Sequence, residues 1–303
     1  MCDFLAKVIE DLDTKFGEDY NVFASVNMMG LLLVSISKNK ILSQISNVNK
    51  TDVPLGFGGT IGNKGAVLIS FSLNETSIVC ACCHLESGQN KCHQRIRNWF
   101  DITELAFSTF ESSNLLERHQ VQFFMGDLNF RLEYPLQKTL QILSEINEEN
   151  WQTSLNFLTN REQLTLLRKG YDWLNEYKEM KIDFLPTYKY DGSSENYDKS
   201  SKRIPSWCDR ILWKEGRDSE KMVIPVCYKR RETKFSDHKP VVGLFTILPD
   251  QTAPDVIVQE EEILEKLPSY HPSKNKSLSK QLETEGDFTE RFSMTLDSTD
   301  FNY

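Results

Sequence analysis

At 303 residues the chain has room for one large domain or two ordinary ones around a sizeable core. Its 35 Lys/Arg against 44 Asp/Glu give a net charge of −9, which argues against the broad basic surface that sequence-independent nucleic-acid binding needs. Met1-Cys2-Asp3-Phe4 does not read as a signal peptide, no apolar segment approaches membrane-span length and the C-terminus is not a prenylation box; the seven irregularly spaced cysteines give no disulfide framework, so a cytoplasmic chain with reduced thiols is expected.

In chain order, Phe4, Leu5, Val8, Ile9 and Leu12 recur at helical spacing and predict a helix over 3–15. Strand-like runs follow at 21–26, 30–36, 65–73 and 77–84, with a glycine-rich loop at 56–65. Cys80, Cys82 and Cys83 fall in the fourth run. With no second Cys/His pair at ligand spacing, they read as buried thiols rather than zinc ligands. Ile96, Trp99, Ile102, Leu105 and Ala106 predict a long helix over 91–117. The apolar run Val121–Met125, stopped by Gly126, reads as a buried strand. Helices are expected at 136–146 and 160–167, a polar turn-rich stretch at 171–206, and strands at 209–213, 222–228 and 241–247. This interleaving predicts a layered α/β or α+β domain over 1–248. Residues 249–303 read as a disordered acidic tail, because five Lys/Arg and eleven Asp/Glu beyond residue 250 account for −6 of the net charge. An amphipathic stretch at 256–267 and a docking motif at 288–292 are its only local patterns, and its partners are not legible.

Chemistry-bearing residues gather near the predicted strand ends. Gly58 to Gly65, with Asn63 and Lys64, could bring N–H groups and an ammonium to a phosphate, or could be a tight turn; Gly65 after Lys64 excludes a Walker loop. His84 closes one strand. Asp127 and Asn129 would point the same way if their strand continued, offering a base for water and an amide for water or phosphate; capping of a turn is the alternative. Tyr188 and Lys189 lie in PTYKYD. Asp209 lies between Trp207 and Trp213 and needs a partner if buried, Arg210 being the simple choice. Asp237-His238 precedes the last strand and offers a carboxylate and an imidazole that Asp209 could orient. Together they form the inventory for metal-assisted attack of water on a phosphate ester.

GDLNFR (126–131), RIPSWCDRILW (203–213) and SDHKP (236–240), in that order and accompanied by GNKGAV, CHL and PTYKYD, closely resemble the signature segments of inositol polyphosphate 5-phosphatases. The resemblance covers Phe4 to Leu248. It implies a four-layered α/β sandwich of two packed, mostly antiparallel sheets flanked by helices. It implies Mg2+-dependent removal of the 5-phosphate from phosphoinositides, such as phosphatidylinositol 4,5-bisphosphate, or from soluble inositol polyphosphates. By the same resemblance Asp127 activates water and Asn129 binds that water or the scissile phosphate. His238, oriented by Asp209, stabilises the phosphoryl group, His84 touches it, and Asp237 lies in the metal shell. Tyr188, Lys189 and Arg203 hold the 4-phosphate. Asn63 and Lys64 face the 1-phosphate and the membrane, where contact would be peripheral, with Leu55 and Phe57 as apolar candidates.

The chain departs from that pattern in one respect. The family begins with a strand carrying a metal-site Asn and a second ending in Gln-Glu, whose Glu is its principal Mg2+ ligand. Neither segment is found here, so the sandwich is expected to be N-terminally incomplete. Three readings are open: a fragment or incomplete gene model, a catalytically dead short form that still binds phosphoinositide, or an active form with altered metal binding. A nuclease of the same superfamily is disfavoured by the acidic balance, PTYKYD and RIPSWCDR.

Overall fold

The computed structural model describes residues 2–56, 61–107, 119–192, 194–216 and 221–248. The patterns at 256–267 and 288–292, the whole of the expected tail and Phe57 to Thr60 lie outside them. α1 (Cys2–Phe16) leads into an antiparallel hairpin of β1 (Tyr20–Met28) and β2 (Leu31–Lys38). After a 3-10 turn come β3 (Ile45–Gly56), β4 (Ile61–Leu73) and β5 (Thr76–His84), then α2 (Cys92–Leu105) and β6 (Val121–Asp127). Four short helices follow: α3 (Leu136–Glu145), α4 (Trp151–Thr159), α5 (Gln163–Leu167) and α6 (Asp172–Asn175). The strands β7 (Asp209–Glu215), β8 (Val223–Arg230) and β9 (Val241–Ile247) complete the described fold.

The central sheet has the order β3-β4-β5-β6-β7, with only β5 and β6 parallel. Side chains alternate across it. Ala66, Leu68, Ala81, Cys83, Phe124 and Leu212 face one side and pack on Ile96, Trp99 and Ile102 of α2, where the Trp99 and Phe124 rings stack at 3.9 Å. Val67, Ile69, Cys80, Cys82 and Met125 face the other side. There the β1–β2 hairpin covers one end through Ala24, Met28, Leu31 and Leu33. The β8–β9 hairpin covers the other through Val223, Phe245 and Ile247.

The layered, mostly antiparallel sandwich is therefore present, but its second layer consists of two hairpins with no ladder between them among the described residues. Where the two coverings meet, Cys80, Cys82, Phe123 and Met125 stay half-buried although they lie in the middle strands. Of the three strand cysteines expected to be buried, only Cys83 fully is.

Four local readings change. β3 has no counterpart in the sequence reading: it is an edge strand, exposed over much of its length, held by its ladder to β4 and interrupted by bulges, so its apolar period is lost. The glycine-rich segment is already strand from Ile61, and Gly65 cannot be replaced there, because at φ 132° a Cβ would lie 1.9 Å from the Val53 carbonyl oxygen. α2 ends at Leu105, where the Ala106 N–H closes on the Ile102 carbonyl; 108–118 lie outside the described residues. α4 was also unforeseen, since its short turns bury only Leu155 and Leu158.

Candidate active site

Sheet register builds the site. His84 pairs with Asp127 across β5–β6, and Asp127 pairs with Asp209 across β6–β7, so three strand ends set three functional side chains in one row. Gly126 permits it: at φ 120° a Cβ would lie 2.3 Å from the Cys83 carbonyl oxygen, so only glycine allows β5 and β6 this close beside Asp127.

β6 then stops. Asn129 takes the left-handed conformation, φ 56°, which asparagine tolerates better than most residues, and its N–H donates to Asp127 Oδ1 at 3.1 Å. The expected alternation of Asp127 and Asn129 on one strand face is thus replaced by a turn. Asn129 is buried, and its Nδ2 donates to the Leu85 carbonyl at 3.1 Å.

His238 Nδ1 lies 2.9 Å from Asp209 Oδ2, while His238 Nε2 faces Asp127 Oδ2 at 4.0 Å. The buried Thr187 hydroxyl donates to Asp209 Oδ2 at 2.7 Å. Asp209 therefore orients His238, as expected, and Arg210 is not its partner. Arg210 points to the opposite sheet face, where its Nε donates to Glu179 at 2.6 Å and Glu162 lies 3.2 Å away. Neighbouring strand residues face opposite ways, a point that adjacency in sequence hides.

His84 Nε2 lies 3.4 Å from Asp127 Oδ2 and 2.5 Å from Lys64 Nζ. Lys64 thus reaches His84, whereas Asn63 beside it is exposed. Burial, reinforced by Lys64 and His238, lowers the His84 pKa to about 4 and keeps the ring neutral. Burial also lowers Lys64. Burial, then the charge of Asp209, raises Asp127 to about 6. For His238 burial opposes the charge, but the hydrogen bond and charge of Asp209 outweigh it and raise the pKa.

Asp127, Asp209 and His238 place ligand atoms within 4.8 Å of one another, a donor set able to hold a metal ion. Two carboxylates suit a hard cation such as Mg2+, which keeps several waters. Asp237 stands outside this trio. It lines a neighbouring open pocket of about 780 Å3 with Lys189, Asn196, Asp198 and Ser200. Lys189 Nζ lies 3.2 Å from Asp198 there, Tyr188 packs instead on His238 with ring centroids 4.5 Å apart, and Arg203 is exposed. Sequence reasoning passed over Thr187; its only signal was a hydroxyl inside PTYKYD.

A sheet with helices on one face, hairpins on the other and a His–Asp–Asp row at its strand ends defines the endonuclease/exonuclease/phosphatase class of fold. Residues 2–244 match the model of Endonuclease/Exonuclease/phosphatase family 2. Over 241 residues the chain is 35% identical to Type I inositol polyphosphate 5-phosphatase 8 of Arabidopsis thaliana, covering 75% of this chain and 47% of that protein. Over 240 residues it is 33% identical to phosphatidylinositol 3,4,5-trisphosphate 5-phosphatase 2A of Danio rerio, covering 76% and 18%. The crystal structure of the inositol polyphosphate 5-phosphatase domain of SPsynaptojanin, in complex with inositol (1,4)-bisphosphate and calcium ion, matches with TM-score 0.67 at 24% identity, covering 86% of this chain and 71% of that one. Cimex nitrophorin shares the fold, with TM-score 0.61 at 19% identity over 82% of this chain and 80% of that one, so the fold alone does not set function. The chain belongs to the inositol polyphosphate 5-phosphatase family. It spans about half the length, or less, of the curated relatives it matches.

Proposed function

We propose that this chain is a Mg2+-dependent phosphomonoesterase that removes the 5-phosphate from phosphoinositides such as phosphatidylinositol 4,5-bisphosphate, or from soluble inositol polyphosphates. The observation that carries the reading is the convergence of His84, Asp127 and Asp209 at adjoining strand ends with His238 from the loop before β9. Asp127, with a pKa near 6, is poised to take a proton from an attacking water close to neutral pH. His238, held by Asp209, presents Nε2 as a positive donor to the developing phosphoryl charge. Neutral His84 and Lys64 flank Asp127 on the other side and would meet a phosphate oxygen there. Asp127 and Asp209 would hold the metal, which when bound supplies Lewis-acid charge at the phosphate.

Lys189 is the base placed to receive a second ring phosphate, since it lines the pocket beside the site. Asn63, Lys64 and Leu55 lie on or beside the strands leading into the glycine-rich segment, where peripheral contact with a phosphoinositide membrane in the cytoplasm is proposed. A catalytic unit over 1–248 followed by an acidic tail is the organisation this reading carries.

One observation favours a second reading, binding without turnover. Asp209 already accepts from Thr187 and His238, which leaves Asp127 as the less committed carboxylate for a metal. Phosphate release with Mg2+ separates the two readings: turnover abolished by Asp127→Ala supports the enzyme, and saturable inositol phosphate binding without release supports the binding module.

A further inference from the structure

We infer that Arg131 is a positioning residue that couples the Asn129 turn to His238, an inference that rests on the phosphatase reading for its kinetic consequence. Arg131 is 4% exposed. Its Nε donates to the Asn129 carbonyl at 3.1 Å, and a terminal nitrogen donates to Asn129 Oδ1. The guanidinium lies 4.7 Å from the centroid of the Tyr188 ring, and that ring packs on His238. Through the Tyr188 ring, one planar side chain therefore links the amide beside Asp127 to the imidazole that Asp209 orients.

The contacts leave little freedom. Gln163 pins the Arg131 backbone, its Oε1 accepting from the Arg131 N–H at 2.9 Å and its own N–H donating to the Arg131 carbonyl at 2.9 Å. The bond to Oδ1 fixes which end of the Asn129 amide faces Leu85, so the donor end is always directed there. Lysine could supply charge but neither the fork nor the flat stacking surface.

Arg210 supplies the contrast. That buried guanidinium is met by Glu162 and Glu179, as a structural charge requires. Among the described residues no carboxylate lies within ion-pair distance of Arg131; it is held by an amide and an aromatic face. Its charge is thus left to act on the site, where it lowers the pKa of Asp127 against burial.

The test uses the full chain with Arg131→Lys, which keeps the buried charge, and Arg131→Met, which keeps the stem. Ring-proton shifts of His238 in metal-free protein, assigned with His238→Gln, report the Tyr188 contact without any need for turnover. Kinetics on soluble inositol 1,4,5-trisphosphate with Mg2+ report the consequence. In both variants the His238 resonances are expected to move as they do in Tyr188→Leu. kcat is expected to fall about 100-fold, with KM changed less than about threefold. Full rescue by lysine, unmoved His238 resonances in a folded variant, or loss of the folded state in both variants would overturn the inference, the last by making Arg131 purely structural. Absence of turnover in the parent chain would count against the phosphatase reading alone, since the His238 shift still decides the role of Arg131.

Discussion

His238 is bound to Asp209 through Nδ1 at 2.9 Å and looks towards Asp127 through Nε2 at 4.0 Å, so one imidazole joins the two carboxylates of the site while using a different nitrogen for each. That arrangement fixes the tautomer: Nδ1–H donates to Asp209, and Nε2 is the nitrogen that gains or loses its proton. Asp209→Asn keeps the shape and removes the anion. It is predicted to lower kcat at neutral pH by roughly a thousandfold or more, and to lower the His238 pKa, both readable by steady-state kinetics and an imidazole NMR titration.

The two histidines should titrate on opposite sides of the ordinary value of 6.5. His84, desolvated and flanked by Lys64, stays neutral down to about pH 4, while His238 takes its proton above 6.5. Imidazole resonances of the metal-free chain, followed from pH 8 to 4, check this. A His84 midpoint near 6.5 would show that the ring is not desolvated and flanked by Lys64 as described.

Asp127 should carry a stability penalty at neutral pH. Its folded pKa of about 6 lies above the ordinary 3.8, so the folded state binds a proton more tightly than the unfolded state does. The stabilisation from that proton is complete below about pH 3.8 and is lost as the pH rises through 6. Asp127→Asn is therefore predicted to stabilise the metal-free chain at pH 7 by roughly 1–3 kcal/mol, to leave it unchanged near pH 3.5, and to abolish hydrolysis. Urea midpoints at the two pH values measure the first two effects.

Arg210 anchors the opposite face of the sheet through Glu162 and Glu179. Arg210→Met strands two buried glutamates and is predicted to cost about 3–5 kcal/mol, measured by urea denaturation. Gly126→Ala should also destabilise, by roughly 1–3 kcal/mol, because its Cβ would strike the Cys83 carbonyl; its test is the thermal midpoint.

The parts legible in sequence were those where local pattern and tertiary role agree. The run Val121–Met125 is apolar because β6 is sandwiched between neighbouring strands, buried against α2 on one face and partly covered by the hairpins on the other, and it stops at Gly126 because a side chain there would strike Cys83. Asp209 announced itself as an acid in a strand with two candidate partners, Arg210 and His238; strand alternation turns Arg210 away and a loop nearly thirty residues on brings His238, while Thr187 was not foreseen. β3 was missed because backbone pairing at a sheet edge needs no apolar period. The contact of Arg131 with Tyr188 joins segments over fifty residues apart and could not be read from either one.

Release of inorganic phosphate from phosphatidylinositol 4,5-bisphosphate in the presence of Mg2+, compared between this 303-residue chain and its Asp127→Ala variant, decides whether Asp127 drives hydrolysis. Steady release by the parent chain, its loss on chelation of the metal, and no release above background by the variant are expected. Release that persists in Asp127→Ala, or a parent chain that binds the lipid and never turns it over, would contradict the proposed function.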